Sequence, residues 1–204
     1  MTAPAAPLPA AVRLPWRFPA GPLAAEVAAL AEEDWTPHFN TGIYAGDWST
    51  ATLRAPTGGV GAALPGYPDP TATGFAPTAL LDRCPATAAV LATVPGTLLS
   101  ARFLRLGPGA SIREHRDHAL GHAFGEVRLH VGVTDTPEAE LVVDGAVVPV
   151  RPGECWYIDA SRPHAARNPG EASRVHLVVD AEVGPDLDRI LRQGVPMDGG
   201  VHPS

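Results

Sequence analysis

Hydrophobic and polar positions alternate through the second half of the chain, which is the pattern of half-buried β-strands. Six runs of this kind, rich in Val, Leu and Ile, occupy residues 97–106, 126–133, 139–145, 146–150, 154–160 and 173–183. Asp144-Gly145 separates two valine-rich runs and predicts a tight hairpin turn. Many short strands at such close spacing predict a sandwich or a barrel.

The first part of the chain has a helical spacing instead. Leu23, Val27 and Leu30 recur three or four positions apart among alanines, which predicts a helix over residues 21–35. A second helix is predicted within residues 79–94, starting or breaking near Pro85. Helices that precede a run of strands indicate a β core with N-terminal helical support.

Two further stretches of the first half are predicted to be irregular or extended. Residues 39–55 read as extended chain with a Gly-Asp turn, and residues 58–78 read as a loop because they are rich in Gly, Pro and Thr. The loop is a candidate lid over a pocket.

The sequence indicates a single domain spanning residues 1–204, with no internal repeat. Within it we expect an extended N-terminal arm at residues 1–20, a strand core at 97–183 and a short C-terminal tail at 184–204. The tail has room for one short helix.

Composition narrows the class of protein. The 23 prolines and 21 glycines suit short strands and turns better than a mostly helical fold. A net charge of -7 argues against a nucleic-acid partner, and no basic run suggests a membrane surface. Two cysteines are too few for a disulfide framework, and the N-terminus lacks the features of a signal peptide, so we expect a cytoplasmic protein.

A candidate metal site follows from three side chains. His115 and Asp117 are two positions apart, so in extended chain both point to the same side. His164 comes later, at a predicted turn between strands. Two imidazoles and one carboxylate form the facial triad of non-haem Fe(II) oxygenases, which leaves open positions for a cosubstrate and O2. The alternative is that the H-x-D triplet is a solvated surface turn.

Arg174 extends this candidate site. It begins the last predicted strand, where a guanidinium facing inward can hold a carboxylate through two parallel hydrogen bonds. A triad together with such an arginine is what a 2-oxoglutarate site requires. The alternative is an exposed arginine at a strand edge.

Several ordered motifs resemble those of a known family. They are "FLRL.PG..IREHRD", "RLHV", "GECWYIDAS.PH..RN" and "R.HLVVD", preceded by "HFNTGIYAGDWSTATLR". Over residues 35–183 the chain resembles the aspartyl/asparaginyl β-hydroxylase-like group of Fe(II)/2-oxoglutarate dioxygenases, with bacterial proline cis-4-hydroxylases closest in appearance. The resemblance implies a mainly β fold, a double-stranded β-helix (the jelly roll of cupins) with N-terminal supporting helices.

The resemblance also implies roles for individual residues. His115, Asp117 and His164 would bind Fe(II), and Arg174 would hold the distal carboxylate of 2-oxoglutarate. His130 matches a histidine that contacts the cosubstrate. Candidate substrate residues are Arg102 and Arg128, which match arginines that anchor a substrate carboxylate, together with Asn40.

The expected reaction is hydroxylation of an unactivated C–H bond of a small, proline-like free amino acid, with release of succinate and CO2. One alternative within the same chemistry is a peptidyl or carrier-bound Asp or Asn residue as substrate. Two others are a non-catalytic cupin-like module that binds a metal or carboxylate, and a metal-dependent isomerase on the same fold. His118 and His122 match no ligand position and are expected in surface loops.

Overall fold

In the part of the chain that the structure describes, two antiparallel β-sheets face each other and three short helices cover the outer face of the larger sheet. This computed structural model describes residues 6–58 and 71–197. The helices are α1 (Ala20–Ala28), α2 (Pro85–Thr93) and α3 (Pro185–Gln193). The strands are β1 (Ala11–Arg17), β2 (Thr36–Pro37), β3 (Tyr44–Ala45), β4 (Trp48–Thr57), β5 (Gly74–Pro77), β6 (Leu98–Leu106), β7 (Ser111–His115), β8 (Glu126–Gly132), β9 (Glu140–Val143), β10 (Ala146–Val147), β11 (Glu154–Ile158), β12 (His164–Arg167), β13 (Arg174–Glu182) and β14 (Val195–Pro196).

The larger sheet has nine strands in the order β14-β1-β11-β8-β13-β6-β4-β2, with β5 paired to β4. The smaller sheet has five strands in the order β10-β9-β12-β7-β3. Strands from the two halves of the chain interleave in both sheets, as in a double-stranded β-helix. The predicted mainly β, jelly-roll fold with N-terminal supporting helices is confirmed.

Alternation along the strands divides the interior into two layers. One face of the larger sheet packs against the helices, where Leu129 and Leu177 meet Leu23 of α1, Leu91 of α2 and Leu187 of α3. The opposite face meets the smaller sheet through a second cluster that includes Trp48, Leu106, Ile112, Val143 and Trp156. The candidate site lies on this second face, between the sheets.

The predicted helix over residues 21–35 is shorter than expected. Regular α-helix ends at Ala28, and Glu32–Asp34 form a separate 3-10 turn. The Asp34 carboxylate accepts a hydrogen bond from the Ala31 amide at 2.9 Å, so this local side-chain bond replaces the continuing helix. The helix predicted near Pro85 is confirmed, with the proline in its first turn.

The predicted hairpin at Asp144-Gly145 is confirmed. Both residues have positive φ, at 53° and 79°, and Val143 and Ala146 pair across the turn. The six predicted strands are all present, with ends that differ by a few residues, and the C-terminal tail contains α3.

Several strands were not predicted as such. Residues 11–17 lie in the predicted arm and are extended, but they form β1, an inner strand of the larger sheet. The predicted loop over 58–78 contains β5, while its residues 59–70 lie outside the described residues. Strands β7 and β12 hold the two candidate metal-binding histidines, and Asp117 follows two residues after the end of β7.

The division of the chain into arm, core and tail stays a prediction. No helix of the described residues is long and apolar enough to cross a membrane.

Candidate active site

The three candidate metal ligands meet at the junction of β7 and β12. His115 ends β7, His164 begins β12, and the two residues pair directly across the antiparallel ladder. Their imidazole rings lie 4.2 Å apart, and the ligand atoms of His115, Asp117 and His164 all lie within 4.8 Å of one another. The prediction that these side chains converge is confirmed. The predicted turn at His164 is wrong, because this residue opens a strand whose pairing places it opposite His115.

Backbone carbonyls fix the two imidazoles in the form that binds a metal. His115 Nδ1 lies 2.8 Å from the Arg113 carbonyl oxygen, and His164 Nδ1 lies 3.0 Å from that of Arg162. Because a carbonyl only accepts, each Nδ1 donates, and each Nε2 keeps its lone pair for a ligand. Burial lowers the pKa of His164, which favours the neutral ring that a metal requires.

The carboxylate of Asp117 completes the set. Burial raises its pKa, but Arg128 and the two histidines outweigh that effect, so the pKa is lowered and the group stays ionised. Its Oδ1 lies 3.8 Å from His115 Nε2. Two imidazoles and one carboxylate on one side of a cavity suit non-haem Fe(II) with open positions.

A cavity of about 750 Å³ lies between the sheets and includes the triad in its wall. Its apolar wall draws on both sheets, through Leu104 and Ile158 of the larger one and Ile112 and Leu141 of the smaller one. A volume in this range suits the binding of small organic molecules. The cavity can therefore hold two small ligands beside the triad.

Arg174 is a buried cation with few hydrogen bonds and no ion-pair partner among the described residues. Its side chain lines the cavity, the residue is 4% exposed, and its Nη1 makes a single long bond of 3.4 Å to the Glu140 carbonyl oxygen. Its Nε has no partner, and no carboxylate among the described residues forms an ion pair with it. Burial lowers its pKa to about 10. Buried guanidinium groups are normally paired, so this one fits a carboxylate brought by a ligand.

His130 presents a second unsatisfied atom to the same cavity. Its Nδ1 lies 3.2 Å from His176 Nδ1, whereas its buried Nε2 has no partner among the described residues. Burial holds the pKa of both rings well below the ordinary value, so both are neutral. His176 faces the interior beside Arg174, as the alternation along β13 predicts.

Arg102 and Arg128 both line the cavity, but they are already paired. Asp180 accepts hydrogen bonds from Arg128 Nε and Nη2 at 2.8 and 3.0 Å and from Arg102 Nη1 at 3.1 Å. Arg128 Nη1 also donates to Asp117. The substrate role of both arginines stays a prediction.

Asp180 is the site residue that the sequence analysis missed. It is 8% exposed, and burial opposes its ionisation, but Arg128 and Arg102 hold its pKa well below the ordinary value. The signal was present, because Arg174, His176 and Asp180 are separated by even numbers of positions and therefore share one face of β13.

The remaining predicted residues lie at the rim. Asn40 lines the cavity, and its backbone amide donates to His38 Nδ1 at 3.3 Å. His38 stacks on Trp48 with ring centroids 3.4 Å apart and also faces the cavity, so it both packs and lines the site. A substrate role for Asn40 stays a prediction.

The two other histidines of the segment differ in environment. His118 is exposed at the cavity mouth, in agreement with a surface loop. His122 is only partly exposed, and its Nε2 lies 2.6 Å from Asp188 Oδ1, which links the 3-10 turn His122–Phe124 to α3.

Two of the solved structures that share this fold are described as a non-heme epimerase and as a member of the 2OG-Fe(II) oxygenase family. The chain aligns with the non-heme alpha ketoglutarate dependent epimerase SnoN from nogalamycin biosynthesis over 94% of this chain and 92% of that one, with a TM-score of 0.52 and 19% identity. It aligns with an oxidoreductase of the 2OG-Fe(II) oxygenase family from Burkholderia pseudomallei over 84% and 85%, with a TM-score of 0.51 and 14% identity. At these identities the likeness establishes the fold alone.

Two curated relatives are similar to this chain in amino-acid sequence. The chain is 31% identical over 138 residues to L-proline cis-3-hydroxylase 1 from a Streptomyces species, covering 66% of this chain and 47% of the relative. It is 34% identical over 107 residues to L-proline cis-3-hydroxylase 2, covering 51% and 37%. The chain thus spans less than half the length of these relatives. They are cis-3-hydroxylases, so the expected likeness to cis-4-hydroxylases is corrected.

The family assignment rests on a longer match. The family model described as aspartyl/asparaginyl beta-hydroxylase matches residues 22–183, which include most of α1, all of α2, every cavity-lining strand and the complete triad. This range agrees with that of the motifs found in the sequence. The chain belongs to the aspartyl/asparaginyl β-hydroxylase family of Fe(II)/2-oxoglutarate-dependent hydroxylases.

Proposed function

We propose that this protein is an Fe(II)/2-oxoglutarate-dependent hydroxylase that oxidises an unactivated C–H bond of a small free amino acid. The observation that carries the proposal is the combination of two features in one cavity. One is a triad whose two Nε2 atoms and carboxylate face a common point. The other is a buried arginine, Arg174, which has no carboxylate partner in the part of the chain that the structure describes. A protein that only stored a metal ion would have no need of the second feature.

Each group has a defined task in this proposal. His115, Asp117 and His164 would hold Fe(II), leaving positions open on the cavity side. Arg174 would pair with the distal carboxylate of 2-oxoglutarate, and His130 Nε2 would serve as its second polar contact. When bound, the metal would supply the oxidising chemistry with O2, coupled to the conversion of 2-oxoglutarate to succinate and CO2.

The residues of the chain would orient the substrate and keep water away. Apolar side chains from both sheets form the wall beside the triad, so a substrate C–H bond in this position is shielded from solvent. Asn40 and Arg102 lie where a polar end of the substrate can be held. The tautomers fixed by the Arg113 and Arg162 carbonyls keep the metal-binding atoms in place during turnover.

A free, proline-like amino acid is the substrate class we favour. The names of the curated relatives specify L-proline, and the cavity contains arginines for a carboxylate end. A peptidyl or carrier-bound Asp or Asn is the alternative within the same chemistry, and the family description supports it.

The direct test is incubation with Fe(II), ascorbate, 2-oxoglutarate and a panel of free amino acids that includes L-proline. We expect succinate to form together with a product that has gained one oxygen atom, measured by mass spectrometry. Short peptides containing Asp or Asn form the second arm of the panel. Absence of turnover with every substrate, together with unchanged 2-oxoglutarate binding in Arg174→Ala, would favour the non-catalytic binding module.

A further inference from the structure

Asp180 is the centre of a buried hydrogen-bond network in the cavity floor. Its Oδ1 accepts from Arg128 Nε at 2.8 Å, and its Oδ2 accepts from Arg128 Nη2 at 3.0 Å. Ser100 Oγ and Arg102 Nη1 also donate to Oδ2, at 2.9 and 3.1 Å. Two parallel bonds to one carboxylate fix both the position and the plane of the Arg128 guanidinium.

That fixed plane determines where the last nitrogen of Arg128 points. Nη1 donates to Asp117 Oδ2, while Asp117 Oδ1 lies 3.8 Å from His115 Nε2. The two oxygens of this candidate ligand therefore have separate partners. One is held by the arginine, and the other is directed towards the imidazoles.

Charge balance explains how this network stays buried. Arg102 and Arg128 carry two positive charges, and Asp117 and Asp180 carry two negative ones. A buried ionic group is tolerated when its charges are matched and its hydrogen bonds are made. Removing Asp180 would leave Arg128 without the partner that orients it.

The two arginines differ in what they have left to offer a ligand. Arg128 uses Nε, Nη1 and Nη2 in bonds to the two aspartates. Arg102 uses only Nη1, and among the described residues its Nε and Nη2 donate no hydrogen bond. Arg102 is thus better placed than Arg128 to receive a carboxylate.

We propose that Asp180 is a positioning residue for the metal site: it holds Arg128 so that Asp117 presents a single oxygen to the metal. The proposal rests on the proposed function only in requiring a metal at the triad. It assigns Arg128 to the support of a metal ligand and leaves the anchoring of substrate to Arg102.

The test uses Co(II) alone as the probe, titrated into the full chain without 2-oxoglutarate or substrate and followed by its visible absorption. We expect Asp180→Asn to weaken Co(II) binding by about 10- to 100-fold, the usual effect of removing a group that supports a metal ligand, and to change the spectrum. Arg128→Lys cannot make the paired bonds and should cause a similar loss. The double variant should lose little more, because both changes break one chain of contacts.

Glu126→Gln is the matched control. Glu126 lines the same cavity on the same strand as Arg128, so this variant also removes one negative charge but leaves the network intact. Its Co(II) affinity should stay near that of the parent. Ser100→Ala removes one hydrogen bond to Asp180 and is a milder variant in case Asp180→Asn folds poorly. Thermal melting shows whether each of the two variants is folded.

The outcomes separate this proposal from the proposed function. If the parent protein binds no Co(II), or if His164→Ala binds Co(II) as tightly as the parent does, the assignment of the metal site is wrong. If the parent binds Co(II) at the triad and Asp180→Asn binds it as tightly as Glu126→Gln does, the positioning role is wrong. A raised KM for substrate with unchanged Co(II) affinity would instead assign Asp180 to the substrate.

Discussion

Replacing Arg174 with Met should affect stability and ligand binding in opposite directions. The side chain is buried, and among the described residues its Nε has no partner and its one hydrogen bond is long. Burial lowers its pKa from 12.5 to about 10, and at about 1.4 kcal/mol for each tenfold change this amounts to roughly 3 kcal/mol against the charged form. Methionine fills similar space without a charge, so it removes this cost.

In the absence of 2-oxoglutarate, we therefore expect Arg174→Met to raise the free energy of unfolding by about 1–3 kcal/mol, as replacements of buried ions by apolar residues often do. The same variant should weaken 2-oxoglutarate binding by about 100- to 1,000-fold, because the distal carboxylate loses a buried, charge-assisted pair. Chemical denaturation measures the first effect and isothermal titration calorimetry the second.

Arg167→Met is the control for this pair of measurements. Arg167 lies on β12 and pairs with Glu140 at 2.8 Å on the surface, so its loss should change stability by less than about 1 kcal/mol and leave 2-oxoglutarate binding unchanged. The reasoning fails if Arg174→Met destabilises the ligand-free protein while 2-oxoglutarate still binds with the parent affinity.

Three other changes have defined outcomes. Burial holds the pKa of His176 well below its ordinary value, so below about pH 6.5 the unfolded chain binds a proton that the folded chain does not. The free energy of unfolding therefore decreases as the pH is lowered. His176→Gln should reduce this slope by up to about 1.4 kcal/mol per pH unit, measured by denaturation at a series of pH values. A steeper or equal slope would contradict this. Gly132→Ala places a Cβ 2.7 Å from the Arg151 carbonyl carbon and should lower the free energy of unfolding by about 2 kcal/mol, which a denaturation curve matching the parent would refute. His164→Ala should abolish Co(II) binding at the triad, whereas His118→Ala, at an exposed position, should leave the affinity unchanged; equal losses in a titration would count against the assigned ligands.

The sequence by itself determined the class of fold and much of the site. Alternation marks the strands because successive side chains point to opposite faces, and Asp144-Gly145 marks a hairpin because both residues tolerate positive φ. The same two-residue period placed His115 beside Asp117. These are local properties, and local rules are enough to predict them.

Only the tertiary structure decided which strands meet. The four-residue strand β12 was missed because His164–Arg167 is too short for a clear alternation, and its partner β7 is far away in the chain. Its pairing alone places His164 opposite His115. No rule based on sequence spacing gives that register, since it depends on the pairing of two strands that are distant in the chain.

The tertiary structure also decided which charged side chains pair around the triad. Asp180 is separated from Arg102 by most of the strand core, yet the two side chains meet because β13 lies beside β6 in the larger sheet. The sequence predicted two arginines available for substrate, whereas the fold gives them a shared carboxylate. A buried charge must find its counter-charge across strands, and strand order is a property of the folded chain.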